Sequence, residues 1–272
     1  MRVAWSKRLS RRIRGHFRRR VLGNHGIAIL AWTRNGLLLV DPDDFNVSRR
    51  LLRDGEYDIA ECELLASLLK PGVARVIFAG AHIGSLLIPI AHRARPAHIV
   101  AIEPSPHNYE DLELNLHLNG LTRVELLNAA VGARNGALAF TENRINRGNS
   151  RISRTGEITV PVYRLDALDD QPIDLLVMDV EGYEVHAMRG AEQMLTRTQM
   201  LYVEFAPEQL HEHGSTAEEF AALIRAAGFN WCSHIVEGRV VELPPDIGAY
   251  FHTLPRRRGL LMNLLLRRGL RA

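Results

Sequence analysis

The sequence predicts a doubly wound α/β fold, with helices on both faces of a mostly parallel, seven-stranded sheet. Three observations predict it. Apolar runs too short for helices alternate with segments of helical periodicity. The turn Gly80-Ala-His-Ile-Gly84 joins the first such run to a helix, and acids stand at or near the ends of several runs: Glu103, Asp179 and Glu204.

The elements follow in order. Ile59, Leu64, Leu65, Leu68 and Leu69 repeat with helical spacing over 58–69, and Pro71-Gly72 stops them. Val76 to Ala79 is the first core strand, and Pro89 makes the start of the helix after it irregular. His98 to Glu103 is the next strand, a helix covers 108–118, and Val124 to Ala130 is the third strand. Residues 137–163 alternate weakly around Gly148 and Gly156 and read as an inserted hairpin and loop. Leu175 to Asp179 is the fourth core strand, 184–195 a helix, and Met200 to Phe205 the fifth strand. Thr216 to Ala227 is amphipathic, and Trp231 to Val236 with Val240 to Leu243 close the sheet as a terminal hairpin.

With 272 residues, 46% apolar and 24% charged, the composition excludes disorder, collagen and a small disulfide scaffold. Cys62 and Cys232 lie far apart, so neither a zinc site nor a disulfide framework is suggested. Charge is uneven. Residues 1–20 carry nine basic and no acidic side chains and 253–272 carry six and none, leaving 19 basic against 31 acidic residues between them. The domain organisation expected is therefore a basic N-terminal extension over 1–40, one domain over 41–250 and a basic tail over 251–272.

Trp5, Leu9, Ile13 and Phe17 recur every four residues along one helical face among arginines. That pattern suits an anionic membrane surface or a solvated tail; Leu260 to Leu266 with Arg267 and Arg268 repeats it at the other end. Nucleic acid is the weakest reading, for want of interleaved aromatics or a reading helix. Ile27 to Trp32 is too short to span a bilayer or serve as a signal peptide, so the expected location is cytoplasmic, peripheral at the inner membrane face if the basic ends bind lipid.

In a doubly wound sheet a ligand sits beyond the carboxyl ends of the strands. Gly80 and Gly84 let backbone approach a ligand, and Glu103, 19 residues on, can accept two hydrogen bonds from a ribose diol. The spacing is not GxGxxG, so a pyrophosphate cofactor is disfavoured and an oxidoreductase is the weakest enzyme class. Adenosine without phosphates fits, which is S-adenosylmethionine.

The runs Phe78-Ala-Gly-Ala-His-Ile-Gly84, Ala101-Ile-Glu-Pro-Ser-Pro-His-Asn108, Asn128-Ala-Ala-Val-Gly132, Leu165-Asp166 and Asp174-Leu-Leu-Val-Met-Asp-Val-Glu-Gly-Tyr-Glu184 resemble the FkbM family of S-adenosylmethionine-dependent methyltransferases, over roughly residues 40–235. The resemblance implies a Rossmann-like, class I methyltransferase fold. Gly80, Ala81, His82 and Gly84 would face the methionine part of the cofactor, Glu103 the ribose, and Pro104, Asn128 and Ala129 would complete its pocket. It also implies O-methylation of a sugar, glycolipid or polyketide-type hydroxyl, so that the partner is a small-molecule, glycan or lipid-linked acceptor. Three positions depart from the family pattern: Phe78 where aspartate is usual, His82 for asparagine and Val177 for lysine. They motivate the competing reading, a degenerate binding module without catalysis.

Methyl transfer to a hydroxyl needs alignment and a group that takes the proton. Asp179 and Glu181 are the candidates for base or acceptor-orienting group, with Glu204 supporting and Glu184 read alternatively as a helix cap. No ligand spacing demands a divalent metal, which stays open.

Overall fold

The computed structural model describes residues 28–143, 146–254 and 259–269. Strands β1 (Ile29–Thr33) and β2 (Gly36–Val40) form a hairpin ahead of helices α1 (Val47–Asp54) and α2 (Ile59–Ser67). Then β3 (Arg75–Ala79), α3 (Leu87–Ala94), β4 (His98–Ile102), α4 (Pro106–Leu118) and β5 (Val124–Leu127) alternate. A second sheet holds β6 (Ala130–Val131), β7 (Gly136–Thr141), β8 (Arg151–Ile152) and β9 (Ile158–Tyr163). The chain continues through β10 (Ile173–Met178), α5 (Glu184–Arg189), α6 (Glu192–Arg197), β11 (Thr198–Phe205), α7 (Pro207–Glu212) and α8 (Ala217–Ala226). It closes with β12 (Trp231–Val236), β13 (Arg239–Glu242), α9 (Ile247–Thr253) and β14 (Met262–Arg267).

The main sheet runs β13-β12-β14-β11-β10-β3-β4-β5. The five strands from β11 to β5 are mutually parallel, and β14, β12 and β13 run antiparallel to their neighbours. Alternate residues serve two cores. Val76 and Phe78 face α2 and α3 with Val177 and Tyr202, whereas Ile77 and Ala79 face α5 and α8 with Leu176 and Leu201. Burial on both faces is why these strands read as continuous apolar runs.

The sheet has eight strands rather than the expected seven, and the extra one is β14. The expected tail over 251–272 is corrected here: Met262 to Arg267 inserts between β11 and β12, with Leu264, Leu265 and Leu266 buried. Flanking arginines made this run look like a basic amphipathic segment, although an apolar triplet buried on both faces is a central-strand pattern. The expected boundary at residue 41 also moves, because Leu38 and Val40 are fully buried in the same core as α2 and α3. The free edge of β2 is satisfied by side chains. Asn119 at the C-cap of α4 and Asn115 four residues earlier each receive the N–H and bond the C=O of Leu37 and Leu39 respectively, in place of a third strand. The amphipathic pattern over residues 5–17 lies outside the described residues.

Two further expectations change. The run 124–130 splits, β5 staying in the main sheet while β6 pairs with β9. The helix expected over 184–195 breaks at Gly190, where a Cβ would lie 2.0 Å from the Gly132 carbonyl oxygen; Asp166 accepts the Met194 N–H at 2.8 Å and starts the second piece. The insert over 137–163 is an antiparallel β7–β9 pair, as its alternation suggests, and Thr216 and Glu219 form a capping box at α8.

Candidate active site

Strand order reverses between β3 and β10: the chain first adds β4 and β5 on one side, then returns to build β10 and β11 on the other. A crevice opens beyond the carboxyl ends of strands at such a point. Here it is a cavity of about 310 Å³, lined among others by Gly80, Ala81, His82, Glu103, Pro104, Ala129, Asp179, Glu181 and Glu204. Nine of the eleven residues singled out from sequence thus meet in one place. Gly84 and Asn128 do not line it. Gly84, at φ +88°, turns the chain against Ile88 and Leu112; Asn128 donates to the Glu103 and Pro104 carbonyls and fixes the β4 end.

The β3 end is crowded. Gly80 has φ +89°, and a Cβ there would lie 1.7 Å from the Asp179 carbonyl oxygen, so no other residue fits. Its N–H and that of Ala81 donate to the Ile102 carbonyl, while Asp179 N–H donates to Ala79. These bonds hold the three strand ends together. Phe78 lies beneath, 1% exposed in the apolar core, and the cavity remains open above it.

Glu103 is 5% exposed. Its Oε2 accepts the His82 N–H at 2.8 Å, and its Oε1 accepts from Ser105 N–H at 3.0 Å and Asn108 Nδ2 at 3.3 Å. Burial outweighs these donors and pushes its carboxyl up to about 7. His82 adopts a left-handed backbone, φ 50°, and both its ring nitrogens are buried without a partner. Burial lowers its basicity to about 4, so the ring is neutral at pH 7.

Opposite Glu103 stands a group of acids. Phe78, Val177 and Tyr202 form one register row across β3, β10 and β11, and two residues further the same face carries Gly80, Asp179 and Glu204, with Asn263 of β14 paired to Glu204. Asp179 is exposed to the cavity but enclosed by its walls, and this enclosure and then the Asp58 charge push it up to about 6. Burial, Asp179 and Glu184 take Glu181 to about 9, and burial with Asp179 and Glu181 takes Glu204 to about 10. Glu181 receives one weak bond, from Gln209 Nε2 at 3.3 Å. Glu184 accepts the Val180 and Gly182 N–H groups at 3.2 Å each, so it ties down the turn that leads into α5 rather than capping that helix, and burial carries it to about 7. Among the described residues no cluster of His, Cys, Asp and Glu has the arrangement of a metal site.

Several lining residues escaped the sequence reading. Tyr57, which closes one wall with its ring under the Arg50 guanidinium at 4.4 Å, and Asp58, ion-paired to Arg50 at 2.8 Å, come from the start of α2. Tyr202 donates to the buried Glu61, which also receives Asn263 Nδ2 at 3.1 Å. The two-residue spacing from Glu204 was an available signal for Tyr202; Asn263 had none, since its strand was read as a tail. Arg147 belongs to the insert. It donates to Asp111 of α4, its backbone N–H to Asp44, and so closes the insert over the cavity.

The FkbM methyltransferase domain matches residues 79–230, more than half of the chain. The chain belongs to that family. Methyltransferase 1 of Beauveria bassiana is 24% identical over 173 residues, 54% of this chain and 66% of that protein. The 2-O-methyltransferase NoeI of Sinorhizobium fredii is 27% identical over 139 residues, 43% of this chain and 56% of that protein. The chain therefore aligns with somewhat less than two thirds of these relatives' lengths. A transferase-like protein from Pyrococcus horikoshii has TM-score 0.50 and 16% identity, covering 88% of this chain and 70% of that one. An FkbM methyltransferase from Methylobacillus flagellatus gives TM-score 0.49 and 14% identity over 78% and 48%. The fold of this FkbM domain is the class I methyltransferase α/β sheet. The match begins one residue after Phe78 and ends before β14, so Tyr57, Asp58 and Asn263 line the cavity from outside it.

Proposed function

We propose that the chain is an S-adenosylmethionine-dependent O-methyltransferase acting on a hydroxyl of a sugar, glycolipid or polyketide-like acceptor. The observation that carries this reading is the cavity at the β3–β10 reversal, with a buried carboxylate on one side and an acid group on the other. The residues fit the cofactor. Glu103, anchored by three donors, keeps one lone-pair site on Oε2 for a ribose hydroxyl, and the two unpartnered nitrogens of His82 offer a donor and an acceptor to the amino-acid end. Bound, the cofactor supplies an electrophilic methyl group on a sulfonium centre.

The chain's own residues do the rest. Asp179 is the most acidic of the cavity's raised carboxyls, ionises first, and at pH 7 is the one able to take the hydroxyl proton. Glu181 and Glu204 stay protonated there and donate hydrogen bonds that orient the acceptor oxygen. The negative charge of Asp179 beside them makes the wall complementary to positive charge at the transferring centre. O-methylation in particular is supported by the name of NoeI.

Calorimetric titration with S-adenosylmethionine and its demethylated product tests the cofactor; the expected result is binding of both at micromolar to millimolar concentration. Mass spectrometry of glycans and lipid extracts incubated with the protein should then reveal a methyl increment whose rate rises through about pH 6. Failure of both ligands to bind would favour the non-catalytic module.

A further inference from the structure

The outer face of the β1–β2 hairpin is apolar throughout. Leu30 and Trp32 alternate outward on β1 and are 52% and 87% exposed. Their directly paired partners on β2 are Leu39 and Leu37, which share that face. Leu38 and Val40, out of phase with them, are fully buried. Among the described residues, none of the four outward side chains belongs to any of the three apolar clusters.

The patch is held in place. Asn115 and Asn119 clamp the β2 edge, and Asn35 in the hairpin turn donates to the Tyr57 carbonyl at 2.7 Å and the Ser85 carbonyl at 2.8 Å. An exposed indole beside three leucines on a fixed ribbon is a surface built for contact.

Charge says with what. From Met1 to Val40 the chain has ten basic residues and no acid, nine of the ten within residues 1–20. Indole and leucine side chains settle at the boundary of headgroups and acyl chains, while arginines are drawn to anionic headgroups. A second copy of the chain is a poorer occupant, because four side chains fall well short of the roughly 800 Å² per partner of a stable interface. We infer that the Leu30, Trp32, Leu37 and Leu39 face docks on an anionic lipid bilayer, with the basic segment ahead of it supplying the attraction. Through Asn35, docking sets the Tyr57 and Ser85 wall of the cavity close to the bilayer, where a lipid-linked acceptor would arrive. None of the helices among the described residues is long and apolar enough to cross a membrane.

The test uses the full chain with vesicles of phosphatidylglycerol and phosphatidylcholine, and with phosphatidylcholine alone. Wild type should sediment with the anionic vesicles, less so as salt rises, and L30S/W32S should bind them at least tenfold more weakly. A W5F/W231F variant leaves Trp32 as the sole indole; brominated lipids should quench its emission. Vesicle binding by L30S/W32S equal to wild type, or Trp32 emission unmoved by brominated lipid, overturns the inference. Self-association that disappears in L30S/W32S without vesicle binding overturns it too and assigns the face to a second copy. Should L30S/W32S fail to fold, the Trp32 quenching decides alone.

Discussion

The two acidic ends of the cavity are built in opposite ways. Glu103 has three hydrogen-bond donors converging on it, two of them backbone N–H groups fixed by the turns after β3 and β4. Asp179, Glu181 and Glu204 face one another, and among the described residues the one side-chain donor to this group is Gln209, at 3.3 Å. The first end has its donors already in place, as the proposed grip on a ribose hydroxyl requires. The second stores electrostatic repulsion, which a proton or a cationic ligand relieves. In the proposed function the satisfied wall holds the cofactor and the frustrated wall reacts, and the comparison can be broken at either wall.

The largest effect is expected at the frustrated wall. Asp179→Asn keeps the shape and removes the most acidic of the three raised carboxyls on this wall, the proposed proton acceptor, so kcat should fall by about 10² to 10⁴. Cofactor affinity measured by calorimetry should change far less. If the two fall together, Asp179 holds the cofactor rather than the proton, and the division between the walls fails.

At the satisfied wall, Glu103→Ala leaves the His82 and Ser105 N–H groups and the Asn108 amide short of a partner and removes the proposed acceptor for the ribose. A hydrogen bond to a charged group is worth about 1.5 to 3 kcal/mol, so cofactor affinity should drop about tenfold to a hundredfold. The melting temperature should drop with it. Binding by Glu103→Ala at wild-type affinity would remove the diol assignment while leaving the acid group untouched.

The two walls also differed in how readable they were. Glu103 sits at the end of an apolar run, 19 residues after Gly84, and local chain geometry suffices to bring it to the Gly80 turn. The same holds for the strand order up to β5 and for Asp179, which ends its own strand. What closes the second wall is long-range. Tyr57 and Asp58 arrive from a helix start with no ligand-binding motif to mark them, and Asn263 arrives on a strand whose arginine flanks imitate a surface tail. Arg147 lies in an insert whose weak alternation announced a hairpin but not that its turn would reach Asp44 and Asp111. Periodicity reports which face of an element is buried; it does not report which distant element buries it.

A smaller effect sharpens the comparison through stability. Glu204 ordinarily titrates near 4.5, and burial with its acidic neighbours raises it to about 10 in the folded chain. Between those values the native state holds a proton that the unfolded chain has released, so folding stability is greatest at the acid end of the window and declines as pH rises. Glutamine at this position has the shape of the protonated side chain and nothing to ionise. Glu204→Gln should therefore melt higher than wild type at pH 8.5, by an amount on the order of 1 to 3 kcal/mol, with the gap closing towards pH 4.5. Its kcat should fall only several-fold, since an amide still donates to the acceptor oxygen. The corresponding substitution Glu103→Gln should gain less with pH, because two backbone N–H groups and an amide already stabilise the charge that glutamine gives up. Melting curves of both variants across that pH range measure how much of the frustration belongs to the acceptor wall alone, and equal gains would mean that burial, rather than missing partners, sets the difference.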